Sequence, residues 1–200
     1  MHFLEKKLNK NYNNSHIVMG ASGHSDYPRE EHDYYKSDPK AITLLKKYDL
    51  LIDDHYWECA CGDGVLSNRL MDYGYDVYSS DLFNRGYGDI GIDFLKQTEK
   101  WDGSILTNPP FSLLEEFILK GLELAKNRLY IFARINTLES KRRYDNIFKD
   151  NPPLYVCQFV KRIKCYRVNY PTPKYSAISY AWFIWDNNDD SNDTYVKWLI

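Results

Sequence analysis

The sequence predicts an α/β protein with a mostly parallel sheet, and two features support this fold class. Apolar runs typical of strands alternate along the chain with segments whose apolar residues have helical spacing. A tight glycine turn, Gly62-Asp63-Gly64, follows the first apolar run and leads into the first such helix after it. The 200 residues are enough for one domain, which we place at 33–200 after a polar arm at 1–32.

Each element follows from local patterns. Ser37 or Asp38 is a suitable N-cap, and Pro39 suits the first turn of a helix that starts near Lys40. A helix at about 65–73 ends at Gly74. Strands are predicted at 75–82, 101–106, 128–135, 154–160, 180–185 and 195–200, a short element at 90–95, helices at 113–125 and 138–149, and a basic aromatic loop at 161–176.

Composition restricts the class of protein. The net charge of −2 provides no overall attraction for nucleic acid, so any such contact has to come from local basic clusters. Four cysteines are too few for a disulfide framework and indicate reduced thiols in a cytoplasmic protein. No apolar run reaches the length of a membrane span, and the five histidines do not pair with cysteines at metal-ligand spacing. We therefore expect neither a membrane segment nor a metal.

The glycine turn is a candidate ligand site. Glycine has no Cβ, so the backbone can approach a bound nucleotide-like molecule closely. Asp81 stands about twenty residues further on, at the end of the second predicted strand, where a carboxylate can accept both hydroxyls of a ribose. An ordinary turn followed by a surface aspartate would have the same pattern, so this signal needs a second one.

The second signal is Asn108-Pro109-Pro110-Phe111 at another strand end. Two prolines stiffen the backbone and remove two N–H donors, which leaves carbonyl oxygens and the Asn108 side-chain oxygen as acceptors. An amino group that donates to Asn108 and to the Pro109 carbonyl has its lone pair drawn out of conjugation. Phe111 offers an aromatic face to a planar base or amide. A rigid strand-to-helix turn is the alternative reading of the same residues.

Together these segments resemble the class I S-adenosylmethionine-dependent methyltransferases that act on adenine N6, and more closely the small phage or prophage type. That family has a Rossmann-like fold with a seven-stranded, mostly parallel sheet flanked by helices. In this chain Phe111 stands where tyrosine is also common, so a hydroxyl contact is lost while stacking remains. The resemblance extends over about 33–200 and is carried by residues 33–41, 57–64, 79–82, 85–88, 93–95, 107–111, 138–143 and 180–185.

The resemblance implies a role for each matching residue. S-adenosylmethionine would be the cofactor, with the segment 33–39 closing over its amino-acid end and the methyl group passing directly to the target nitrogen. The target amine would be held by Asn108, Pro109, Pro110 and Phe111. The implied cofactor-binding residues are Tyr34, Tyr35, Asp38, Glu58, Ala60, Gly62, Gly64, Asp81, Asp93 and Phe94.

The implied partner is DNA, with the target adenine flipped out of the duplex. Two basic clusters follow strands on the same edge and are candidates for phosphate contacts, although most such clusters are simply solvated. Methylation of RNA adenine or of a protein glutamine amide remains open, as does a non-catalytic cofactor-binding module. A dinucleotide-dependent oxidoreductase is disfavoured because Ser67 replaces its third glycine. The basic residues are Lys141, Arg142, Arg143, Lys161, Arg162, Lys164 and Arg167.

Overall fold

A computed structural model describes residues 34–52, 55–166 and 178–200 of the chain. The predicted arm at 1–32 lies outside these residues, and so do residues 167–177 of the predicted basic loop. The strands are β1 (Lys36–Ser37), β2 (His55–Glu58), β3 (Asp76–Asp81), β4 (Asp89–Ile90), β5 (Ser104–Thr107), β6 (Arg128–Arg134), β7 (Tyr155–Phe159), β8 (Cys165–Tyr166), β9 (Tyr180–Asp186) and β10 (Tyr195–Leu199).

Eight of these strands form one sheet in the order β10-β7-β9-β6-β5-β2-β3-β4. Among the pairs in this sheet, β9 runs antiparallel to both of its neighbours, β6 and β7, and the other pairs are parallel. The predicted α/β class with a mostly parallel sheet is thus confirmed. The sheet has one strand more than the predicted seven, because the short edge strand β4 adds two residues beside β3. Strands β1 and β8 form a separate antiparallel pair.

The helices are α1 (Lys40–Lys47), α2 (Val65–Asp72), α3 (Leu114–Leu124) and the short α4 (Lys141–Arg143). The N-terminus of α1 follows Pro39, and the Asp38 side chain accepts a hydrogen bond from the Lys40 amide at 2.9 Å. Single 3₁₀ turns occur at Phe94–Lys96, Phe111–Leu113 and Ile135–Leu138.

The prediction of one regular helix at 138–149 is wrong. Ser140 caps α4 by accepting from the Arg143 amide at 3.3 Å, so the helix begins only at Lys141. It then widens into a π-helical turn, Tyr144–Phe148, in which the Lys149 amide bonds to the Tyr144 carbonyl at 2.9 Å. This wider turn accompanies a fully buried Ile147 beside exposed neighbours.

Two apolar layers cover the sheet because successive strand residues point to opposite faces. Tyr56 and Leu106 pack with α1 and α2 on one face, whereas Trp57 and Ile105 pack with α3 on the other. The strands next to the helices are therefore buried on both sides, which explains their continuous apolar runs.

The order in which strands are added to the sheet reverses between β2 and β5. These two strands are neighbours, although β3 and β4 lie between them in the chain. From β2 the chain continues to β3 on one side, and from β5 it continues to β6 on the other. Ligands of open α/β sheets bind beyond the carboxyl ends of the strands at such a switch point. Glu58 ends β2, Asp81 ends β3 and Asn108 follows β5, so the topology brings all three to this edge.

Candidate functional site

A cleft opens at the carboxyl edge of β2, β3 and β5 and is covered by the segment before α1. It contains about 840 Å³ of non-atom space, part of which is open solvent. Its walls combine carboxylates with apolar and aromatic side chains. The lining residues are Tyr34, Tyr35, Lys36, Ser37, Glu58, Cys59, Ala60, Cys61, Gly62, Asp63, Val65, Leu66, Asp81, Leu82, Phe83, Arg85, Ile92, Asp93, Phe94, Leu95, Asn108, Pro110, Leu113 and Phe117.

The turn after β2 requires glycine at two positions. Gly62 has φ +57° and Gly64 has φ +79°, both in the left-handed region that side chains disfavour. A Cβ on Gly62 would lie 2.6 Å from Cε2 of Tyr34, and a Cβ on Gly64 would lie 2.5 Å from the Tyr87 ring. The turn is thus packed closely beneath two tyrosines, and Gly62 itself faces the cleft.

Asp81 fixes this turn to the neighbouring strand. Its Oδ2 accepts from the Gly62 amide at 2.9 Å, and its Oδ1 accepts from the Phe83 amide at 2.8 Å. The residue is 9% exposed and lines the cleft. A carboxylate has about four lone-pair positions, so acceptor capacity remains on both oxygens for ligand hydroxyls.

Glu58 is a buried carboxylate at the end of β2. Its Oε2 accepts from the Ser67 amide at 2.8 Å and from the Ser67 hydroxyl, which in turn accepts from the Ser79 hydroxyl at 2.7 Å. Burial raises the pKa of Glu58 to about 8, the Ser67 hydrogen bonds oppose this, and the charges of Asp81 and Asp63 add to it. The carboxylates of Asp63 and Asp81 favour a positively charged ligand at this turn, and such a ligand would also lower the pKa of Glu58.

The raised pKa of Glu58 makes stability depend on pH. The folded carboxyl holds its proton up to about pH 8, whereas its ordinary value is 4.5, so the folded state binds more protons between these values. Stability contributed by this group is complete below pH 4.5 and is lost as pH rises through 8. We expect the free energy of unfolding to fall by about 1 kcal/mol per pH unit across this window relative to Glu58→Gln.

Denaturant unfolding at a series of pH values measures this difference. Glu116→Gln, which removes an exposed carboxylate from α3, is the matched control and should keep the wild-type pH profile. Parallel profiles for wild type and Glu58→Gln would show that the folded pKa is not raised.

Asn108 also lines the cleft, directly after the end of β5. Its Nδ2 donates to the Ser37 hydroxyl at 3.0 Å and to the Tyr35 carbonyl at 3.3 Å. Its Oδ1 is buried and accepts no hydrogen bond from any residue in the described part of the chain. A buried acceptor without a partner is costly, and such atoms in folded proteins call for an explanation.

The other residues of this motif have different positions. Pro110 lines the cleft, whereas Pro109 is buried behind it. The Phe111 ring packs among other groups: the Tyr35 ring at 5.3 Å, the Tyr180 ring at 6.3 Å and the Arg134 guanidinium at 4.8 Å. Tyr35, rather than Phe111, therefore supplies aromatic surface to the cleft.

Most residues that the sequence singled out as cofactor-binding line this one cleft, and two lie elsewhere. Asp38 accepts a hydrogen bond from the Lys40 amide at the start of α1 and borders a separate groove. Gly64 lies beneath the Tyr87 ring at the start of α2. The residues that line the cleft are Tyr34, Tyr35, Glu58, Ala60, Gly62, Asp81, Asp93 and Phe94.

Several cleft residues were not identified from the sequence. Lys36 Nζ lies 2.5 Å from Asp63 Oδ2 and ties the covering segment to the glycine turn. The Arg85 guanidinium lies 4.5 Å from the centre of the Tyr34 ring. Phe83 had a usable signal, since it comes two residues after Asp81 at a strand end. Lys36 and Arg85 lie in segments that carry the family resemblance, but no role was assigned to either residue, because their contacts are long-range.

The first basic cluster is occupied by intramolecular contacts. Lys141 Nζ lies 2.6 Å from Asp145, and Arg142 lies 2.8 Å from Glu115. The Arg143 guanidinium donates to the carbonyls of Asn136, Thr137 and Glu139, so it stabilises the preceding 3₁₀ turn. A nucleic-acid contact from Arg143 would require breaking these bonds.

The second basic cluster lies beside the N-terminus of α1. Lys161, Arg162 and Lys164 line a groove there together with Lys40. The groove also contains Asp38, so its charge is mixed. Arg167, the last of the predicted phosphate-binding residues, falls outside the described residues.

Within residues 34–52, 55–166 and 178–200, no group of three or more His, Cys, Asp or Glu side chains could hold a metal ion. None of the helices in the same ranges is both long enough and apolar enough to cross a membrane.

No protein-family model matches this chain, and no curated protein matches it. Solved structures do match this chain. A candidate class I S-adenosylmethionine-dependent methyltransferase from Listeria monocytogenes is 12% identical, with 87% of this chain and 68% of that chain covered at a TM-score of 0.61. A Thermoplasma acidophilum protein is 19% identical, with coverages of 80% and 93% and a TM-score of 0.57.

A candidate RNA methyltransferase from Pyrococcus horikoshii is 13% identical, with 84% of this chain and 94% of that chain covered at a TM-score of 0.55. Identities this low establish similarity of fold and leave the substrate open. The chain has the Rossmann-like fold of the class I S-adenosylmethionine-dependent methyltransferases.

Proposed function

We propose that this protein is an S-adenosylmethionine-dependent methyltransferase that methylates the N6 amino group of adenine in DNA. The observation that carries the proposal is that Asn108, whose buried Oδ1 has no partner among the described residues, lines the same cleft as Asp81 and Gly62. An exocyclic amine is a hydrogen-bond donor, and Asn108 Oδ1 is an acceptor with no donor from the described residues.

The cleft fits this cofactor in three respects. Gly62 lines the cleft without a side chain, and a Cβ there would meet the Tyr34 ring, which also lines the cleft. Asp81 retains acceptor capacity for ribose hydroxyls. Asp81 supplies a carboxylate that suits a positively charged sulfonium or ammonium group, and such a group would lower the raised pKa of the Glu58 carboxyl. When bound, the cofactor would supply a methyl group on a positively charged sulfur.

Further contacts are assigned by position in the cleft. Asp93 and the buried Phe94 would contact the adenine of the cofactor, and Ala60 would lie along its methionine part. Tyr34 and Tyr35, in the segment that covers the cleft, would enclose the amino-acid end. This arrangement holds the cofactor between the ends of β2 and β3.

Asn108 would then orient the target nitrogen. With a hydrogen bond from the amine to Asn108 Oδ1, the nitrogen lone pair is drawn out of conjugation with the ring. The lone pair is then available for attack, and catalysis consists of positioning and electrostatic orientation without a covalent enzyme intermediate. Tyr35, supported by Phe111 at 5.3 Å, offers the aromatic surface against which a planar base can stack.

A base in duplex DNA has to leave the stack to reach a cleft of this kind. Phosphate contacts would come from the groove beside α1, where Arg162, Lys164, Lys161 and Lys40 line one surface. Lys141 and Arg142 would contribute only by exchanging their acidic partners for phosphates.

A radiolabel transfer assay tests the proposal. Purified protein and methyl-labelled cofactor are incubated with duplex DNA, single-stranded DNA, RNA and a protein mixture, and the labelled product is digested and separated. We expect label in DNA that co-elutes with N6-methyladenine. Label in RNA adenine or in glutamine would overturn the DNA assignment, and cofactor binding without transfer to any polymer would indicate a non-catalytic module.

A further inference from the structure

The two ends of the Asn108 amide have different surroundings. The nitrogen donates to two acceptors, the Tyr35 carbonyl at 3.3 Å and the Ser37 hydroxyl at 3.0 Å. The oxygen is buried and accepts nothing from the residues that the structure describes. Tyr35 and Ser37 come from the segment that covers the cleft, more than seventy residues earlier in the chain.

These partners determine which way the amide points. A backbone carbonyl has no hydrogen, so a flipped amide would place two acceptor oxygens of Asn108 and Tyr35 against each other. The flip would also direct the NH₂ group of Asn108 toward the position of its present oxygen. An amine substrate also donates, so it would be repelled by the flipped amide. The chemistry proposed above therefore requires the observed orientation.

Ser37 is held firmly enough to impose that orientation. Ser37 is 8% exposed, and its backbone pairs with that of Cys165 in the antiparallel β1–β8 ribbon. The preceding residue, Lys36, forms an ion pair with Asp63 in the glycine turn. The backbone around Ser37 is thus anchored from two sides, while its hydroxyl accepts from Asn108.

We propose that Ser37 is a positioning residue, which fixes the Asn108 amide so that its oxygen faces the target amine. The inference rests on the proposed function and deepens it, because it assigns part of the amine site to the covering segment. Ser37 acts through Asn108 and does not itself touch the amine.

Kinetics of three variants test this role. Ser37→Ala should lower kcat by about tenfold, the effect of one lost hydrogen bond, with cofactor affinity unchanged by calorimetry. Ser37→Thr keeps the hydroxyl and should restore most of the rate. In an Asn108→Ala background, Ser37→Ala should have no further effect, because a residue that acts through another is silent once the other is gone.

A merely structural role would give different results. Weakened cofactor binding in Ser37→Ala, or an equal loss of rate in the Asn108→Ala background, would overturn the inference. Wild-type kcat in Ser37→Ala would overturn it as well.

A second readout separates this inference from the proposed function. The side-chain NH₂ of Asn108, assigned by NMR, should exchange slowly with solvent in the wild type and in Ser37→Thr, and faster in Ser37→Ala. Equal exchange rates in wild type and Ser37→Ala would contradict the role of Ser37 even if no substrate were found. If the Asn108 NH₂ exchanges slowly but the protein methylates none of the polymers, the proposed function is refuted while the hydrogen bond between Ser37 and Asn108 is supported.

Discussion

Replacing Asn108 with alanine is expected to lower the rate of methyl transfer by roughly 100- to 1,000-fold, the usual effect of removing one positioned polar group from a reaction centre. The variant loses the buried oxygen that orients the amine and retains the glycine turn and Asp81 on the other wall. Cofactor affinity should therefore stay close to that of the wild type. Single-turnover kinetics and calorimetry measure the two quantities separately.

Asn192→Ala is a matched control for this change, since it removes an exposed asparagine from the turn between β9 and β10. It should leave both rate and affinity unchanged. Asn108→Ala with the wild-type rate would exclude Asn108 as the group that orients the amine.

Asp81→Ala is expected to weaken cofactor binding by about 1–3 kcal/mol, the range for hydrogen bonds to a charged group. The substitution removes the acceptor for the ligand and also leaves the amides of Gly62 and Phe83 without their partner. Both effects act in the same direction, because a loosened turn no longer presents a preformed surface to the ligand. Calorimetric titration with S-adenosylmethionine measures the change.

Asp76→Ala provides the comparison. Asp76 begins the strand that Asp81 ends, so it lies at the amino ends of the strands, away from the cleft. Its side chain is exposed and lies 2.8 Å from His55 Nδ1. Its removal should not change cofactor affinity. If both variants bind equally well, Asp81 has no part in the ligand site.

The residues at the strand ends could be predicted because two local patterns mark them: the spacing of the glycines, and a polar residue directly after an apolar run. Gly62 and Gly64 are spaced for a tight turn, and Asp81 and Asn108 stand directly at the ends of apolar runs. Parallel strands place their carboxyl ends at one edge, so an assignment of strands was sufficient to bring these residues together. The structure adds that Asp81 and Gly62 are hydrogen-bonded to each other.

The contacts of the covering segment could not be predicted. Ser37 appeared in the sequence as a possible helix cap, and its bond to Asn108 joins residues 71 positions apart. Phe111 was expected to offer its aromatic face to the substrate. In the structure its ring packs against the Tyr35 ring, and it is Tyr35 that lines the cleft. Such pairings depend on tertiary packing, which periodicity does not encode.

The basic residues illustrate a second limit. Arg143 belongs to a cluster that looks suited to phosphates, yet three carbonyls of the preceding turn accept from its guanidinium. The same segment was predicted as one regular helix, whereas the structure has a π-helical turn at Tyr144–Phe148 with Ile147 buried in it. Composition identifies a charged surface but does not tell which charges are already paired.

In the proposed mechanism, Asn108 orients the amine toward a methyl donor held in the same cleft by the glycine turn and Asp81. We would test this by single-molecule sequencing of DNA from cells that express the protein, with cells that express Asn108→Ala as the comparison. We expect N6-methyladenine at a short motif in the first sample and none above background in the second. Equal methylation in both samples, or none in either despite folded protein, would contradict it.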